Sequence, residues 1–324
     1  MRFSVTFFSL LLALVINANA GEKEVCADWL KTMAFAGHQT NYSGVFVYQF
    51  DNNVESSRIS HLAEPDAEYE KLESLDGPKR EIIRHHGHVW ASDTHGMVEV
   101  NNEQGLGGRF PYLLPEQLTA LNENYEAQQV GKERVAGHDA QVILFKPKDG
   151  SLYAHKIWVH VDSGLLLKAV VLDDKNKVVE QYAFTQLQIG GNIDRSWIKP
   201  DDKVKRYAEK ITKLAETDKH TVAINSGWTA GYFPAGFKKT KEIERSMRGK
   251  HAPVTQIVYS DGLSAVSIFI ESNDEDEDDI DGLSSRGALS LYHKVVGGNL
   301  FTVVGEVPPR AVVKILNSIR YNGK

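Results

Sequence analysis

The sequence predicts an α+β protein of two domains: a large antiparallel sheet curling into a barrel or half-open barrel, and a smaller α+β unit after it. Three observations predict this. From Tyr42 to Leu187 the chain is a succession of short runs rich in β-branched and aromatic residues, joined by tight turns. About eleven such runs in a row curl rather than stay flat. The composition then shifts to IKPDDKVKR at 198–206, proline followed by charge, which marks a domain edge.

Residues 1–20 stand apart from both domains. Arg2 supplies positive charge, residues 7–16 form a short apolar core, and Ala18-Asn19-Ala20 before Gly21 has the form of a cleavage site. The run is too short for a lasting membrane anchor. It is expected to be a secretory signal, and no later stretch is long and apolar enough for a membrane helix. The mature chain is therefore expected to be a soluble exported protein. Cys26 is the single cysteine, so no internal disulfide forms. Its expected use is a buried, inert thiol in a helix. The expected boundaries are a signal at 1–20, the large domain at 21–200, a linker at 201–220 and the small domain at 221–324.

In chain order, residues 22–36 repeat apolar positions at helical spacing (Val25, Trp29, Leu30, Met33, Ala34), with Gly37 as the stop. The stretch YSGVFVYQF, Tyr42–Phe50, reads as a strand with Val45, Val47 and Gln49 on one face and Phe46, Tyr48 and Phe50 on the other. Both faces are mostly apolar. One packs on core; the aromatic one meets a helix, a second layer or a ligand. Asp51-Asn52-Asn53 turns the chain into a second strand at 54–61, followed by strands at 68–75 and 79–84 and short ones near Val89 and Met97. A short helix is expected at 115–121, opened by Pro115. Hairpin strands follow at 125–134, 140–146, 153–161, 165–172 and 178–187. In the small domain, GWTAGYFPAGF at 227–237 precedes strands at 255–260, 264–271, 288–296 and 300–307, and Pro308-Pro309 opens a closing helix at 310–321.

The chemistry-bearing groups are few. A net charge of −6 over 324 residues leaves no basic footprint for nucleic acid. The acidic run NDEDEDDID at 273–281 fails the calcium-loop pattern, because Asp279 and Ser285 stand where glycine and a bidentate glutamate are required. It reads as a solvated loop between strands. His85, His86, His88 and His95 are close in sequence, but neighbouring strand residues diverge, so a metal site is not expected. No G-x-S-x-G elbow, H-E-x-x-H or P-loop occurs, and neither catalytic residues nor cofactors are expected. What remains is surface. Phe46, Tyr48 and Phe50, with Trp29 and Met33 of the preceding helix, are the candidate lining of an apolar ligand site. Tyr232, Phe233 and Phe237, held by Pro234 and Gly236, are candidate partner anchors, with core packing as the alternative use.

Several separated blocks together resemble the MucB/RseB family of periplasmic sigma-E regulators. They are SGVFVYQFDNNVESSRISH at 43–61, EYEKLESLDGPKREIIR at 68–84, GYFPAGF at 231–237, VYSDGLSAVSIFIE at 258–271 and TVVGEVPP at 302–309. The acidic run at 274–281 is longer than the family pattern leads one to expect. The resemblance implies a large domain like the lipoprotein carriers LolA and LolB, an unclosed antiparallel barrel with helices plugging its concave side. It implies binding of the periplasmic segment of an anti-sigma factor of the RseA/MucA type, which blocks cleavage by a site-1 protease of the DegS type. It further implies release by mislocalised lipopolysaccharide or lipoprotein. The rival expectation is a lipid or lipoprotein carrier acting alone. An exported hydrolase that holds a metal on the acidic run is a third.

Overall fold

The computed structural model describes residues 33, 35–85, 88–93, 96–100, 110–112, 119–198, 221–246, 252–273 and 281–323. Trp29, Cys26, His86, His95, residues 1–20 expected as a signal, residues 201–220 expected as a linker, and most of the acidic run lie outside the described residues.

The first sheet is antiparallel and eleven-stranded. Its strands are β1 (Tyr42–Phe50), β2 (Asn53–Glu64), β3 (Ala67–Ser74), β4 (Glu81–His85), β5 (His88–Asp93), β6 (Gly96–Val100), β7 (Tyr125–Val135), β8 (His138–Pro147), β9 (Ala154–His160), β10 (Leu166–Leu172) and β11 (Val178–Ile189), with helix α1 (Thr119–Asn124) leading into β7. The spatial order is β6-β5-β4-β3-β2-β1-β11-β10-β9-β8-β7, so the first and last strands pair in the middle. β6 and β7 are the two ends and do not hydrogen-bond to each other, which leaves the sheet unclosed. β1 and β11 run in a register that sets Phe46 opposite Phe184 and Tyr48 opposite Tyr182, with a bulge at Val45/Phe46. A side chain at Gly44 could not fit there, since its Cβ would lie 2.4 Å from the Gln186 carbonyl oxygen.

The second domain holds a seven-stranded sheet, ordered β12-β14-β15-β16-β19-β18-β17, and a separate pair β13-β20. Its elements are β12 (Thr221–Ala223), β13 (Trp228–Ala230), β14 (Lys238–Arg245), β15 (Val254–Ser260), β16 (Ala265–Ser272), β17 (Asp281–Arg286), β18 (Leu289–Val296), β19 (Asn299–Gly305), α2 (Pro309–Asn317) and β20 (Ile319–Tyr321). Ala311, Val312, Ile315 and Leu316 form the buried stripe of α2 and share one core with Ile257, Ile268, Phe301 and Val303 of the sheet. Each of these side chains larger than alanine contributes about 1.5–3 kcal/mol by leaving water.

Some expectations are corrected. The closing helix ends at Asn317 rather than 321, because Ser318 turns back on Ile315 through its amide and its hydroxyl. Ile319–Tyr321 then pairs with Trp228–Ala230, and the Trp228 and Tyr321 rings meet at 4.9 Å. Gly37 does not stop the first helix, since residues 35–39 are helical. The glycine is required there for another reason: a Cβ would lie 2.8 Å from the Tyr112 ring. β12, β14 and β17 give no clear strand signal in the sequence. β17 is an edge strand exposed at nearly every position, and β14 buries only Glu242 and Ile243, so neither shows apolar alternation.

Candidate functional site

The aromatic face of β1 is buried. Phe46 and Phe50 retain 6% and 4% of their surface. Phe46 meets Phe110 at 5.1 Å and Phe184 at 6.0 Å, and Phe110 in turn stacks on Tyr182 at 5.7 Å. Met33 belongs to the same cluster. Of the candidate lining, Phe46 and Met33 are therefore both buried in the interior, and Phe110 covers Phe46.

Tyr48 and Phe50 are brought together at a different place. They stack on each other at 4.7 Å, and Tyr48 stacks on Tyr182 at 4.3 Å. The tip of the β17–β18 hairpin of the second domain lies on them. Arg286 sets its guanidinium 4.4 Å over the Phe50 ring and pairs with Glu55 at 2.9 Å. The Tyr48 hydroxyl and the Ala288 amide both donate to Glu180 Oε2, at 2.8 and 3.0 Å. Burial, with Tyr182 and Glu180 alongside, pushes the Tyr48 hydroxyl pKa far up, so it stays a donor. Gly287, at φ +56°, makes this approach possible. A Cβ there would lie 2.5 Å from Glu180 Oε2 and 3.1 Å from both Phe50 Cβ and Tyr48 Oη.

The rest of the junction is polar and specific. Tyr125 donates to Asp261 Oδ2 at 3.2 Å, with both residues almost fully buried. Burial raises the Asp261 pKa, opposed by the amides of Ser264 and Leu263 and by the Tyr125 hydroxyl. Arg310 donates to Asp174 at 2.6 Å and also to the Gly150 carbonyl. A cleft of about 730 Å³ opens beside these contacts, lined by Gln49, Phe50, Asp173, Lys177, Tyr153 and Arg310 among others. A much smaller, partly open cavity of about 60 Å³ is walled by His155, Glu180, Tyr182, Leu263, Ala288 and Glu306 among others. His155 Nε2 is enclosed with no hydrogen-bond partner, and burial pushes the imidazole pKa down to about 4.

The three candidate anchors also sit at this junction. The Tyr232 hydroxyl donates to Ser151 Oγ of the large domain at 2.9 Å. Phe233 stacks on Tyr259 at 3.9 Å and faces Phe237 at 6.0 Å. All three are partly buried against the shared core.

Among the described residues at this junction, the contacts are aromatic stacking and hydrogen bonds to carboxylates, and no Ser, Thr or Cys is hydrogen-bonded there to a His. Among the described residues no group of three His, Cys, Asp or Glu could hold a metal ion. No described helix is long and apolar enough to cross a membrane. Sequence reading did not single out Glu180, Tyr182 and Phe184. The usable signal was the alternation in VVEQYAFTQLQI, which puts a carboxylate on the same face as two aromatic rings.

Comparison with known proteins gives the same picture over both domains. Residues 26–202 match the MucB/RseB N-terminal domain and residues 222–320 the MucB/RseB C-terminal domain. The sigma factor AlgU regulatory protein MucB of Pseudomonas aeruginosa is 31% identical over 322 residues, covering 97% of each chain. The sigma-E factor regulatory protein RseB of Haemophilus influenzae is 26% identical over 326 residues, covering 99% of each. The crystal structure of MucB in complex with MucA(peri) superposes with a TM-score of 0.72 at 27% identity, covering 92% of this chain and 99% of that one. A further crystal structure of MucB gives 0.61, also at 27% identity, covering 91% and 97%. With both of its domains matched in order, the chain belongs to the MucB/RseB family.

Proposed function

We propose that this protein is a periplasmic binding regulator, not an enzyme. It would hold the periplasmic segment of an anti-sigma-E factor of the RseA/MucA type and shield it from a site-1 protease of the DegS type. Mislocalised lipopolysaccharide or lipoprotein acyl chains would release it. The observation that carries this reading is the likeness of the whole two-domain arrangement to MucB bound to MucA(peri). The expected export signal at 1–20 supports the compartment.

The acyl chain is assigned to the aromatic face of Phe46, Tyr48 and Phe50, with Met33 and, on the sequence pattern alone, Trp29. Burying ten methylenes there yields roughly 8 kcal/mol gross, about micromolar affinity before ordering costs. That is enough to compete with a moderate protein interface if lipid and partner prefer different states. Anchoring of the anti-sigma segment is assigned to the surface that Tyr232, Phe233 and Phe237 leave uncovered.

The test is a protection assay. The purified periplasmic segment of a RseA/MucA-type factor is incubated with the site-1 protease, with and without this protein, then with added lipopolysaccharide. Slower cleavage that lipopolysaccharide restores is the expected result. A cleavage rate indifferent to the protein defeats the proposal. Transfer of lipoprotein between membranes with no anti-sigma binding would favour the lone-carrier reading.

A further inference from the structure

We propose that the helical turn at 35–39 is a lid, latched onto the large sheet by a doubly protonated His61 and loosened when that ring loses a proton. This inference stands apart from the anti-sigma reading and rests on hydrogen-bond chemistry at one buried imidazole.

His61 on β2 is fully buried. Its Nδ1 lies 2.8 Å from the Thr40 carbonyl oxygen, and its Nε2 lies 3.0 Å from Glu68 Oε1 on β3. A carbonyl oxygen can only accept. The Glu68 carboxyl is pulled two ways: burial raises its pKa, while hydrogen bonds from His38 and His61 outweigh that and hold it down at about 2. It therefore stays a carboxylate and also can only accept. A neutral imidazole carries one N–H, so it satisfies one of these contacts and turns a lone pair on the other. The ring completes both bonds only with both protons.

The surroundings suit a cation. The His61 ring lies stacked at 5.0 Å on Tyr42 of β1 and edge-on at 6.0 Å to Tyr112. Glu70 of β3 is its register partner, and Glu70 is itself paired with Arg84 of β4. From the helical turn, His38 Nδ1 lies 2.9 and 3.1 Å from the two oxygens of Glu68. One carboxylate thus ties down the turn directly through His38, and His61 ties down Thr40 immediately after it.

What the latch holds closed is the cover of the aromatic cluster. Gly37 of the turn sits against the Tyr112 ring. Tyr112 accepts from the Tyr42 hydroxyl at 2.9 Å, and its neighbour two residues earlier, Phe110, caps Phe46 and Phe184. Acidification closes the lid. Once the ring carries a single proton, one of its nitrogens turns a lone pair on a carbonyl or a carboxylate oxygen and the latch weakens.

The test is hydrogen–deuterium exchange of the amides at 35–40 in the full chain at about pH 5.5 and about pH 8, corrected for intrinsic rates and referred to β10. Protection at 35–40 should fall about tenfold at the higher pH, as for one buried hydrogen bond lost. Glu68→Gln should abolish that dependence, because its amide can donate to a neutral His61 Nε2 and keep the latch made. In the unaltered chain, the nitrogen chemical shifts of the His61 ring should show two protonated nitrogens at the lower pH and one at the higher. Equal protection at both values, an unchanged dependence in Glu68→Gln, or a singly protonated ring throughout would overturn the latch.

Discussion

The hydroxyl of Tyr48 donates to Glu180 Oε2 at 2.8 Å, and that same oxygen receives the Ala288 amide of the second domain at 3.0 Å. One carboxylate therefore couples the aromatic strand to the domain junction. A ligand that moved Tyr48 would disturb a bond on which the hairpin of the other domain also depends. This gives the proposed competition between lipid and partner a physical route, because Phe50 and Tyr48 are already covered by the hairpin tip.

The first prediction concerns Gly287. Its φ of +56° and the 2.5 Å approach of Glu180 Oε2 leave no room for a side chain. Gly287→Ala should cost about 1–2 kcal/mol for the left-handed backbone alone, and the clash adds to it. The expected effect is loosening of the junction rather than loss of either sheet. Small-angle scattering should show a larger radius of gyration while the circular dichroism of the sheets is kept. An unchanged radius would show that the hairpin tip does not hold the domains together.

Tyr125→Phe tests the buried side of the junction. It removes the donor to Asp261 without changing the ring, and leaves a buried carboxylate with one partner fewer. Hydrogen bonds to charged groups contribute about 1.5–3 kcal/mol, so urea unfolding should show a loss of that size. The loss should shrink in acid, where Asp261 takes up a proton. A neutral effect at all pH values would mean the contact is not made in solution.

Much of this architecture was legible in the sequence, and the illegible parts share a cause. β1 shows at once in YSGVFVYQF because Tyr42, Phe46 and Phe50 are buried on one face while Val45 and Val47 are half-buried on the other, which selects aromatic and β-branched residues over most of the strand. The meander shows in its turns, whose Asp, Asn and Gly are dictated locally. β17 is hidden because an edge strand with one exposed face needs no apolar residue, and its pairing with β18 is decided by the hairpin alone. The site was half legible for the same reason. Phe46 and its aromatic neighbours announce an apolar face, but that Tyr48 lies under Ala288 depends on residues 240 positions apart in the chain. No local pattern encodes such a contact. The role of Gly37 was misread because a glycine near a helix end looks the same whether it stops the helix or admits a ring.

His155 yields a pH prediction. Burial lowers its pKa from 6.5 to about 4, so the folded chain holds fewer protons than the unfolded one between those values. Stability from this group is complete above 6.5 and is lost as pH falls toward 4. His155→Phe keeps a ring in the same place and removes the enclosed nitrogen that has no partner. At about pH 5 the variant should gain roughly 1–2 kcal/mol over the parent, and the difference between them should flatten above pH 7. Parallel stability curves for the two proteins would show that His155 does not titrate with unfolding.

Phe110→Ala probes the aromatic face directly. Phe110 keeps 5% of its surface exposed and contacts Phe46, Tyr182 and Phe184 at 5.1, 5.7 and 5.0 Å. Its removal should cost about 3–5 kcal/mol, the transfer of the ring plus the cavity it leaves. That cavity would be walled by aromatic rings and dry, and a dry apolar cavity of ring size takes up small apolar molecules. Benzene should therefore raise the melting temperature of Phe110→Ala and leave the parent unchanged. Decanoate separates two uses of the face. If an acyl chain can enter beside Phe46, the variant should bind it more tightly than the parent, because the plug is gone while the walls remain. Stabilisation by benzene without any gain in decanoate affinity would mean that the space beside Phe46 is a closed core, and the lipid site would have to be sought elsewhere in the molecule.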